Sequence, residues 1–416
     1  MTQNIQDIVA SGLPLSPVYQ RYDWGTRDQI IKLLDLPHPG GNEPLAELWM
    51  GAHPGLPTPL QQPVSGCADL CALIEQHPQT MLGSDHQLFQ GRLPYLFKVL
   101  SAARALSIQV HPSKVQAEAG FRHDNALGLS MDAGQRNYRD DNHKPELLVA
   151  LTPFTAMAGF RAPAEVAGLL ELSGSRALRA WARPLRERGL VALEALFAWC
   201  LAQEEDVRTL ILRDLMSDLP PDEPYSVVAR LHDQFGENMG VVAPLLLHVH
   251  QLHPGEALYL GSGVPHAYLE GTGLEVMANS DNVLRGGLTR KHMDREELLA
   301  ITRFEPDTTQ VMQGRITESE GLTVTDYPVP CRDFQLQILQ LEAQAKATLN
   351  KASGPELLLV LSGMGRLGSL NLEQGSIVFL PPVQEPRHLA CGQSLTLARV
   401  STALHLVSRV VNSSRF

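Results

Sequence analysis

Short apolar runs separated by glycine and proline fill both ends of this chain, and they restrict it to a fold of strands and turns. The 33 glycines and 29 prolines are spread along the sequence, as the turns of such a fold require. Runs typical of strands cover residues 45–52, 95–99, 105–111 and 147–151, and comparable runs return from about residue 242. The sequence therefore predicts a mainly β fold built from sandwiches or barrels.

Between residues 162 and 235 the hydrophobic pattern becomes helical. Pro163 suits a first helical turn, and Pro184 is expected to break a later helix. Apolar residues recur at three- and four-residue spacing through 164–172, 175–187, 190–203, 205–217 and 226–235. We therefore predict a first β domain formed by residues 1–160 and 241–320, an all-helical insertion at 161–240, and a second, C-terminal β domain at 321–416.

Composition argues against nucleic-acid and membrane partners. The formal net charge is −11 and no run of five basic residues occurs, although a few local cations could still hold an anionic small substrate. No leader sequence and no apolar stretch of about 20 residues is visible, so we expect a cytoplasmic protein. The five cysteines are scattered, with Cys67 and Cys71 expected in one helix, which predicts reduced thiols.

Polar side chains alternate with apolar ones over residues 105–112. On a strand, Ser107, Gln109 and His111 would share one face, while the other face turns to a core with Leu106, Ile108 and Val110. A hydroxyl, an amide and an imidazole in one row are untypical of a solvated face. They are the groups that a pocket for a metal ion and a polar ligand needs.

Two further segments carry candidate metal ligands. Glu146 opens an apolar strand directly after Pro145, although a solvated turn is an equally good interpretation of residues 140–147. His266 follows a glycine- and proline-rich turn, where a histidine is usually structural. Together, two imidazole nitrogens and two oxygens suit Zn²⁺, with Mn²⁺, Co²⁺ or Fe²⁺ as alternatives, on the set Gln109, His111, Glu146 and His266.

Two other patterns point to sites that we do not expect. Residues 363–368 match the G-x-G-x-x-G pattern of dinucleotide-binding sites. That pattern must open a helix, but the residues that follow are typical of a strand, so we predict a hairpin. His248 and His250 share a strand face and could form a second metal site. A histidine pair covered by neighbouring strands is the interpretation we favour.

Several blocks of the sequence resemble the signature blocks of type I mannose-6-phosphate isomerases (phosphomannose isomerases of the cupin superfamily). The resemblance extends over residues 13–292 and rests on 22–25, 47–54, 93–100, 106–112, 142–146, 259–268 and 275–289. It implies a cupin jelly-roll catalytic domain, a helical insertion and a cupin-like C-terminal β domain. It also implies one Zn²⁺ per subunit on the four ligands named above. Arg290, just before Lys291, departs from the family, where proline is common.

The resemblance implies a zinc-dependent interconversion of D-mannose 6-phosphate and D-fructose 6-phosphate through a cis-enediol. The metal would polarise the C1 and C2 oxygens, while side chains move the proton. A lysine near the metal is our first acid/base candidate, and an arginine would stabilise charge. The candidate catalytic residues are Arg285, Lys144, His143 and Asp281, and the candidate substrate-binding residues are Ser107, Lys98, Tyr268, Glu275 and Lys291.

Two competing functions stay open at this point. An Fe²⁺-dependent cupin oxygenase would use two histidines and one carboxylate, without the additional Gln109. A sugar-binding module without activity would be expected to have lost ligands or Arg285, and none is missing. We expect a monomer whose partner is a small phosphosugar.

Overall fold

The computed structural model describes residues 5, 11–306, 309–349, 352–383, 385–403 and 410–412. The first strands in chain order are β1 Leu13–Leu15, β2 Val18–Gln20, β3 Glu47–Met50, β4 Ala52–His53, β5 Leu56–Pro57, β6 Pro59–Val64, β7 Cys67–Asp69, β8 Tyr95–Ala102, β9 Ile108–Val110, β10 Glu146–Ala150, β11 Phe154–Phe160, β12 Leu247–Leu252, β13 Glu256–Leu260, β14 His266–Ala278 and β15 Leu284–Gly287. The later strands are β16 Val311–Gln313, β17 Arg315–Ser319, β18 Leu322–Tyr327, β19 Gln335–Leu341, β20 Lys346–Leu349, β21 Glu356–Leu367, β22 Leu370–Glu373, β23 Ile377–Leu380, β24 Arg387–Ala390, β25 Leu395–Ser401 and β26 Val410–Asn412.

Helices lie between these strands, and most of them fall between β11 and β12. They span Gln29–Leu34, Leu70–Gln76, Pro78–Leu82, Asp85–Leu88, Lys114–Ala126, Pro163–Leu172, Arg176–Arg179, Ala182–Arg188, Leu190–Ala202, Glu205–Ser217, Tyr225–Phe235, Ala243–Leu246 and Arg295–Ile301, with a 3₁₀ turn at Met239–Val242. None of the described helices is long and apolar enough to cross a membrane.

The long strand β14 belongs to two antiparallel sheets and so joins them into a jelly-roll sandwich. Its second half pairs with β8 and β10, and its first half pairs with β9 and β11. Gly271 lies where the strand passes from one set of partners to the other, with φ +125° and no room for a Cβ beside Phe154. The mainly β, cupin-type fold class predicted from the sequence is confirmed.

Strand alternation divides the interior of the sandwich into an apolar part and a polar part. Leu100 and Ala102 on β8 share a core with Leu148 and Ala150 on β10. Because side chains two residues apart point to the same face, the Lys98 and Glu146 side chains continue these rows. The closed end of the sandwich is therefore apolar, and the charged groups gather at the other end.

The outer face of one sheet is covered by helices. Ile108 and Val110 of β9 pack with Leu193, Leu196 and Phe197 from the helix Leu190–Ala202. The apolar residues whose spacing predicted helices in the middle of the sequence are buried in this core.

The outer face of the other sheet is covered by strands from both ends of the chain. Phe97 of β8 packs in one core with Leu15 of β1 and Leu359 of β21. β1 pairs with β23 in the register Leu13↔Phe379, so the N-terminal strand is a member of the sheet formed by the C-terminal strands. The Tyr95 hydroxyl donates a hydrogen bond to the Pro355 carbonyl at 3.0 Å and ties the two layers together.

Three local predictions were wrong. The strand predicted at 105–111 begins only at Ile108, and Leu106 packs with the inner core because its backbone N–H is held by the Tyr268 carbonyl. The helix break lies before Ala182 and not at Pro184, since a proline in a first turn lacks only an N–H that would be unpaired there. Cys67 lies in β7, and Asp69 caps the helix that follows.

The two misleading patterns are also settled by the structure. Residues 363–367 end β21, and the turn at 368–369 leads into β22, so this segment forms a hairpin, as predicted. His248 and His250 are half-buried on β12, which in the described part of the chain pairs with β11 alone, so neighbouring strands cover them on one side only. The Nε2 atom of His250 lies 3.1 Å from the Ala158 carbonyl oxygen.

The buried pair Arg399–Glu356 in the C-terminal sheet generates a stability prediction. The Arg399 Nε donates to Glu356 Oε2 at 3.2 Å, and both side chains are 1% exposed. We expect Arg399→Met to lower the free energy of unfolding by about 3–5 kcal/mol, because it leaves a buried carboxylate without its main cation. Urea denaturation would measure this loss. The double variant Arg399→Met/Glu356→Leu should recover much of it, and a double variant no more stable than the single one would contradict this account.

Candidate active site and metal centre

Three of the predicted ligands meet at the polar end of the sandwich. The Nε2 atoms of His111 and His266 each lie 3.3 Å from a different oxygen of the Glu146 carboxylate. One ligand atom from each residue lies within 4.8 Å of the others, and all three residues are buried. The described residues contain no second group of this kind. These side chains can therefore hold a single metal ion.

Strand ends place these groups, and backbone carbonyls orient the two imidazoles. Glu146 and His266 are the first residues of β10 and β14, and His111 directly follows β9. The Nδ1 of His111 donates to the Asn282 carbonyl at 2.7 Å, and that of His266 donates to the Val264 carbonyl at 2.9 Å. Because a carbonyl can only accept, both Nε2 lone pairs face Glu146. The buried Nε2 of His111 makes no hydrogen bond, which suits a metal ligand.

Gln109 lies beside this group in the sheet. On β9 it is the register partner of His266 on one side and of Arg285 on the other. Directly opposite residues on neighbouring strands share a face, so the Gln109 side chain points the same way as both. The structure thus brings three of the predicted ligands together and places Gln109 in register beside them, with Arg285 next in the row.

The electrostatics of the site favour the ligand forms of these residues. Burial and the nearby Lys144 ammonium lower the pKa of His111 to about 4, so the ring is neutral. Burial alone would raise the pKa of Glu146, but Lys144 and His111 hold it well below its usual range. The Lys144 Nζ lies 3.0 Å from Glu146 Oε1. A neutral imidazole and an ionised carboxylate are the forms that bind a metal ion.

A second buried charge network lies behind the ligands. Lys98 Nζ is 3.0 Å from Glu275 Oε2 and 3.5 Å from Glu47 Oε1, and the Trp49 indole N–H donates to Glu47 at 2.9 Å. Burial would lower the pKa of Lys98, but Glu275 and Glu47 outweigh it and raise the pKa. Burial also raises the pKa of Glu275, which Lys98 offsets in part.

The charges of the two networks do not cancel. Their three carboxylates, Glu47, Glu146 and Glu275, lie with only two lysines, Lys98 and Lys144. When the two imidazoles take the form that binds a metal ion, with Nε2 unprotonated, and all three carboxyls are ionised, a buried excess of negative charge remains. A divalent cation offsets this excess, whereas an anion in the same place would add to it.

Positive charge gathers on the opposite side of Gln109. Burial and the neighbouring Arg139 lower the pKa of Arg285, and burial with Arg285 and Arg139 lowers that of Lys291. Within the described residues, none of these three cations has a carboxylate at ion-pairing distance. A bulge after Arg285 aims its side chain, and Gly287 (φ +138°) lies too close to Gly240 to carry a Cβ. The cations can receive an anion.

The remaining predicted residues lie around this centre. His143 Nε2 is 3.0 Å from Asp333 Oδ2, and Asp281 Oδ1 is 3.3 Å from the Nε2 of buried His53. A cleft of about 890 Å³ is lined by these four side chains and by Arg139. Ser107 is half-buried in the loop that leads into β9. Tyr268 is buried, with its ring edge-on to Phe154 at 5.5 Å between ring centroids.

Asn282 holds two loops of the site together, a role that no pattern in the sequence indicated. Its buried amide donates to the carbonyls of Asp140 at 2.8 Å and Asn142 at 2.9 Å, and it accepts from the Arg139 backbone N–H at 2.8 Å. Its own carbonyl accepts from His111. One residue therefore fixes both a ligand ring and the segment that leads to Lys144 and Glu146. Glu47, Arg139 and Asp333 were also missed.

Comparison with known proteins identifies the family. The family model for the catalytic domain of type I phosphomannose isomerase matches residues 13–163. The mannose-6-phosphate isomerase of Escherichia coli is 40% identical over 375 residues, which cover 88% of this chain and 94% of that protein. The bovine enzyme of the same name is 32% identical over 405 residues, 88% of this chain and 92% of that protein.

The chain belongs to the mannose-6-phosphate isomerase family. A zinc-bound crystal structure of mannose 6-phosphate isomerase superimposes with a TM-score of 0.84 at 36% identity and covers 94% of this chain and 100% of that one. The metal-free form from Salmonella typhimurium gives 0.83 at 36% identity, with 94% and 99% coverage. As a member of this family, the chain is an isomerase. The two alternatives left open by the sequence, an oxygenase and a binding module without activity, are set aside.

The clamp formed by Asn282 generates a prediction for the isomerase. Asn282→Asp keeps the shape of the side chain but turns an oxygen towards the carbonyls of Asp140 and Asn142, so the His111 ring loses its fixed support. We expect the affinity for Co²⁺, measured by chelator competition, to fall about 10–100-fold.

Asn279→Asp is the matched control, because its amide donates to the carbonyls of Ala52 and Leu93 and does not touch His111. An equal loss of affinity in both variants would show that the Asn282 contact is not special.

Proposed function

We propose that this chain is a zinc-dependent aldose–ketose isomerase that interconverts D-mannose 6-phosphate and D-fructose 6-phosphate through a cis-enediol. The observation that carries the proposal is the buried group of His111, Glu146 and His266, with Gln109 in register beside it. Family membership supports the reaction, and the zinc-bound relative supports the metal.

The donor set fits zinc. Two imidazole nitrogens, a carboxylate and an amide oxygen are compatible with one Zn²⁺ per subunit, and the excess negative charge of the surroundings favours a divalent ion. When bound, the ion would supply Lewis-acid polarisation of the C1 and C2 oxygens of the sugar. The residues that would hold it are Gln109, His111, Glu146 and His266.

Proton transfer between C1 and C2 falls to the side chains around the ligands. Lys144 is our candidate acid/base, because its buried ammonium lies 3.0 Å from Glu146 and therefore beside the reacting carbons. Arg285 stays protonated and would stabilise negative charge on the enediol oxygens. His143 and Asp281 line the cleft and are candidate relays. Glu275 and Tyr268, both buried near the ligands, are candidate contacts to the sugar.

We assign the phosphate to the cations that have no carboxylate partner. Lys291, with Arg139 and the Ser107 hydroxyl, is the best candidate. Burial and then the repulsion from Arg285 and Arg139 lower the pKa of Lys291, and a phosphate would offset both. Lys98 was also a substrate-binding candidate from the sequence. Its charge is directed at Glu275 and Glu47, so we now propose that it holds these carboxylates in place.

The partner we propose is thus a phosphosugar. All the groups assigned here come from one subunit, which is consistent with the monomer expected from the sequence. The five free thiols favour a reducing compartment, and the cytoplasm is our proposal for it.

The proposed function is tested by a coupled assay for fructose 6-phosphate made from mannose 6-phosphate. We expect activity in purified protein, loss of activity on treatment with a chelator, and recovery on addition of Zn²⁺. The reason is that, without the metal ion, no group of the site would polarise the C1 and C2 oxygens of the sugar. Full activity in protein shown by elemental analysis to be metal-free would end the zinc proposal.

Arg285→Ala should lower kcat by about 10²–10³-fold, because a charge donor aimed at the reacting oxygens is lost. Circular dichroism and thermal unfolding should stay near wild type, since Arg285 makes no ion pair in the described structure. Arg290→Ala, an exposed cation in the same segment, is the control and should keep its turnover. Near-normal turnover in Arg285→Ala would remove this residue from the catalytic set.

A further inference from the structure

Asp333 is a buried carboxylate that comes from the C-terminal part of the chain and reaches the cleft lined by His143 and Asp281. It lies in the loop before β19, is 7% exposed, and places Oδ2 at 3.0 Å from His143 Nε2. In the described structure His143 is the one hydrogen-bond partner of this carboxylate. Burying a carboxylate is costly unless it is paired and hydrogen-bonded, and one hydrogen bond offsets only part of that cost. The position of Asp333 beside His143 therefore needs an explanation.

The loop that carries Asp333 is anchored to the C-terminal β layer. Phe334 is fully buried in the core that the C-terminal strands share with β8. The Arg332 carbonyl accepts from the Ala403 backbone N–H at 3.2 Å, just beyond β25. The position of Asp333 is therefore set by the C-terminal strands and not by the loops of the metal centre.

The contact fixes the protonation pattern of His143. Because an ionised carboxylate can only accept, the His143 Nε2 must carry the hydrogen. No hydrogen bond to Nδ1 occurs within the described residues, and the ring lines the cleft with Arg139 and Asp281. An aspartate that holds one nitrogen of an imidazole leaves the other free for proton transfer, as in hydrolase triads.

We propose that Asp333 is a positioning residue of the isomerase: it fixes the tautomer and orientation of His143, so the C-terminal β region completes the active site. This rests on the proposed function, in which His143 relays a proton. Asp333 itself does not touch substrate. The proposal gives the C-terminal part of the chain a task in the reaction besides packing against β8.

A double-mutant cycle tests the proposal. Asp333→Asn should lower kcat about 10–100-fold, while KM and the Zn²⁺ dissociation constant stay near wild type. In a His143→Gln background the same change should have little further effect, because the residue it acts through is gone. Equal losses in both backgrounds, or no loss in either, would overturn the proposal.

Asp326→Asn is the matched control. Asp326 also lies in the C-terminal sheet and accepts from the Gln335 amide, but it does not line the cleft. It should leave kcat unchanged. A fall in kcat equal to that of Asp333→Asn would show that any disturbance of the C-terminal sheet lowers kcat. That result would overturn the proposal.

A spectroscopic readout covers the case in which Asp333→Asn does not fold. The ¹⁵N spectrum of the wild-type zinc enzyme should show His143 with its hydrogen on Nε2, and a ring protonated on Nδ1 alone would overturn the proposal without any variant. Failure of the proposed function is distinguishable, since it would appear as a wild-type protein that binds no zinc or makes no fructose 6-phosphate.

Discussion

The site depends on two hydrogen bonds that run from imidazole Nδ1 atoms to backbone carbonyls. They turn the Nε2 lone pairs of His111 and His266 towards one carboxylate, Glu146, and they fix the tautomer of each ring. The carbonyls belong to loops at the ends of β14 and before β15, so the strand shared by both sheets also sets the ligand geometry. If either ring turned over, an N–H would point at the carboxylate and the three residues could no longer share an ion.

The charges of the site extend this constraint to its surroundings. Lys98 and Lys144 hold three buried carboxylates in place without neutralising them, and Arg139, Arg285 and Lys291 repel one another nearby. The side chains of the site therefore form one region that attracts a divalent cation and another that attracts an anion, separated by Gln109. A sugar with oxygens at one end and a phosphate at the other complements both regions, which is why the arrangement suits a phosphosugar better than a neutral sugar.

The sequence revealed the groups whose signal is local. Strand alternation pointed to Gln109 and His111, and the positions of Glu146 and His266 at strand starts followed from nearby proline and glycine. Asn282 and Asp333 were missed, because their roles come from contacts across 171 residues to His111 and 190 residues to His143, for which no periodic pattern exists. Glu47 and Arg139 were missed because their contacts, with Lys98 and Asn282, also join separate segments of the chain. Leu106 was misplaced for a similar reason, since its N–H bonds a carbonyl of β14 and β9 begins only after it. Nor did the sequence of β1 show that this strand pairs with β23.

The pairing of β1 with β23 links the C-terminal strands to the strands that carry the site. β1 enters their sheet from the N-terminus, Phe97 on β8 packs into the same core, and the next inward-facing residue of β8 is Lys98. A shift of the C-terminal layer would thus move the back of β8 and the loop of Asp333 together. Lys98 and Glu275 are register partners on β8 and β14, so their contact is set within the sheet that this layer covers. The metal centre is then built between two outer layers, helices behind β9 and strands behind β8, and each supports a different part of the ligand set.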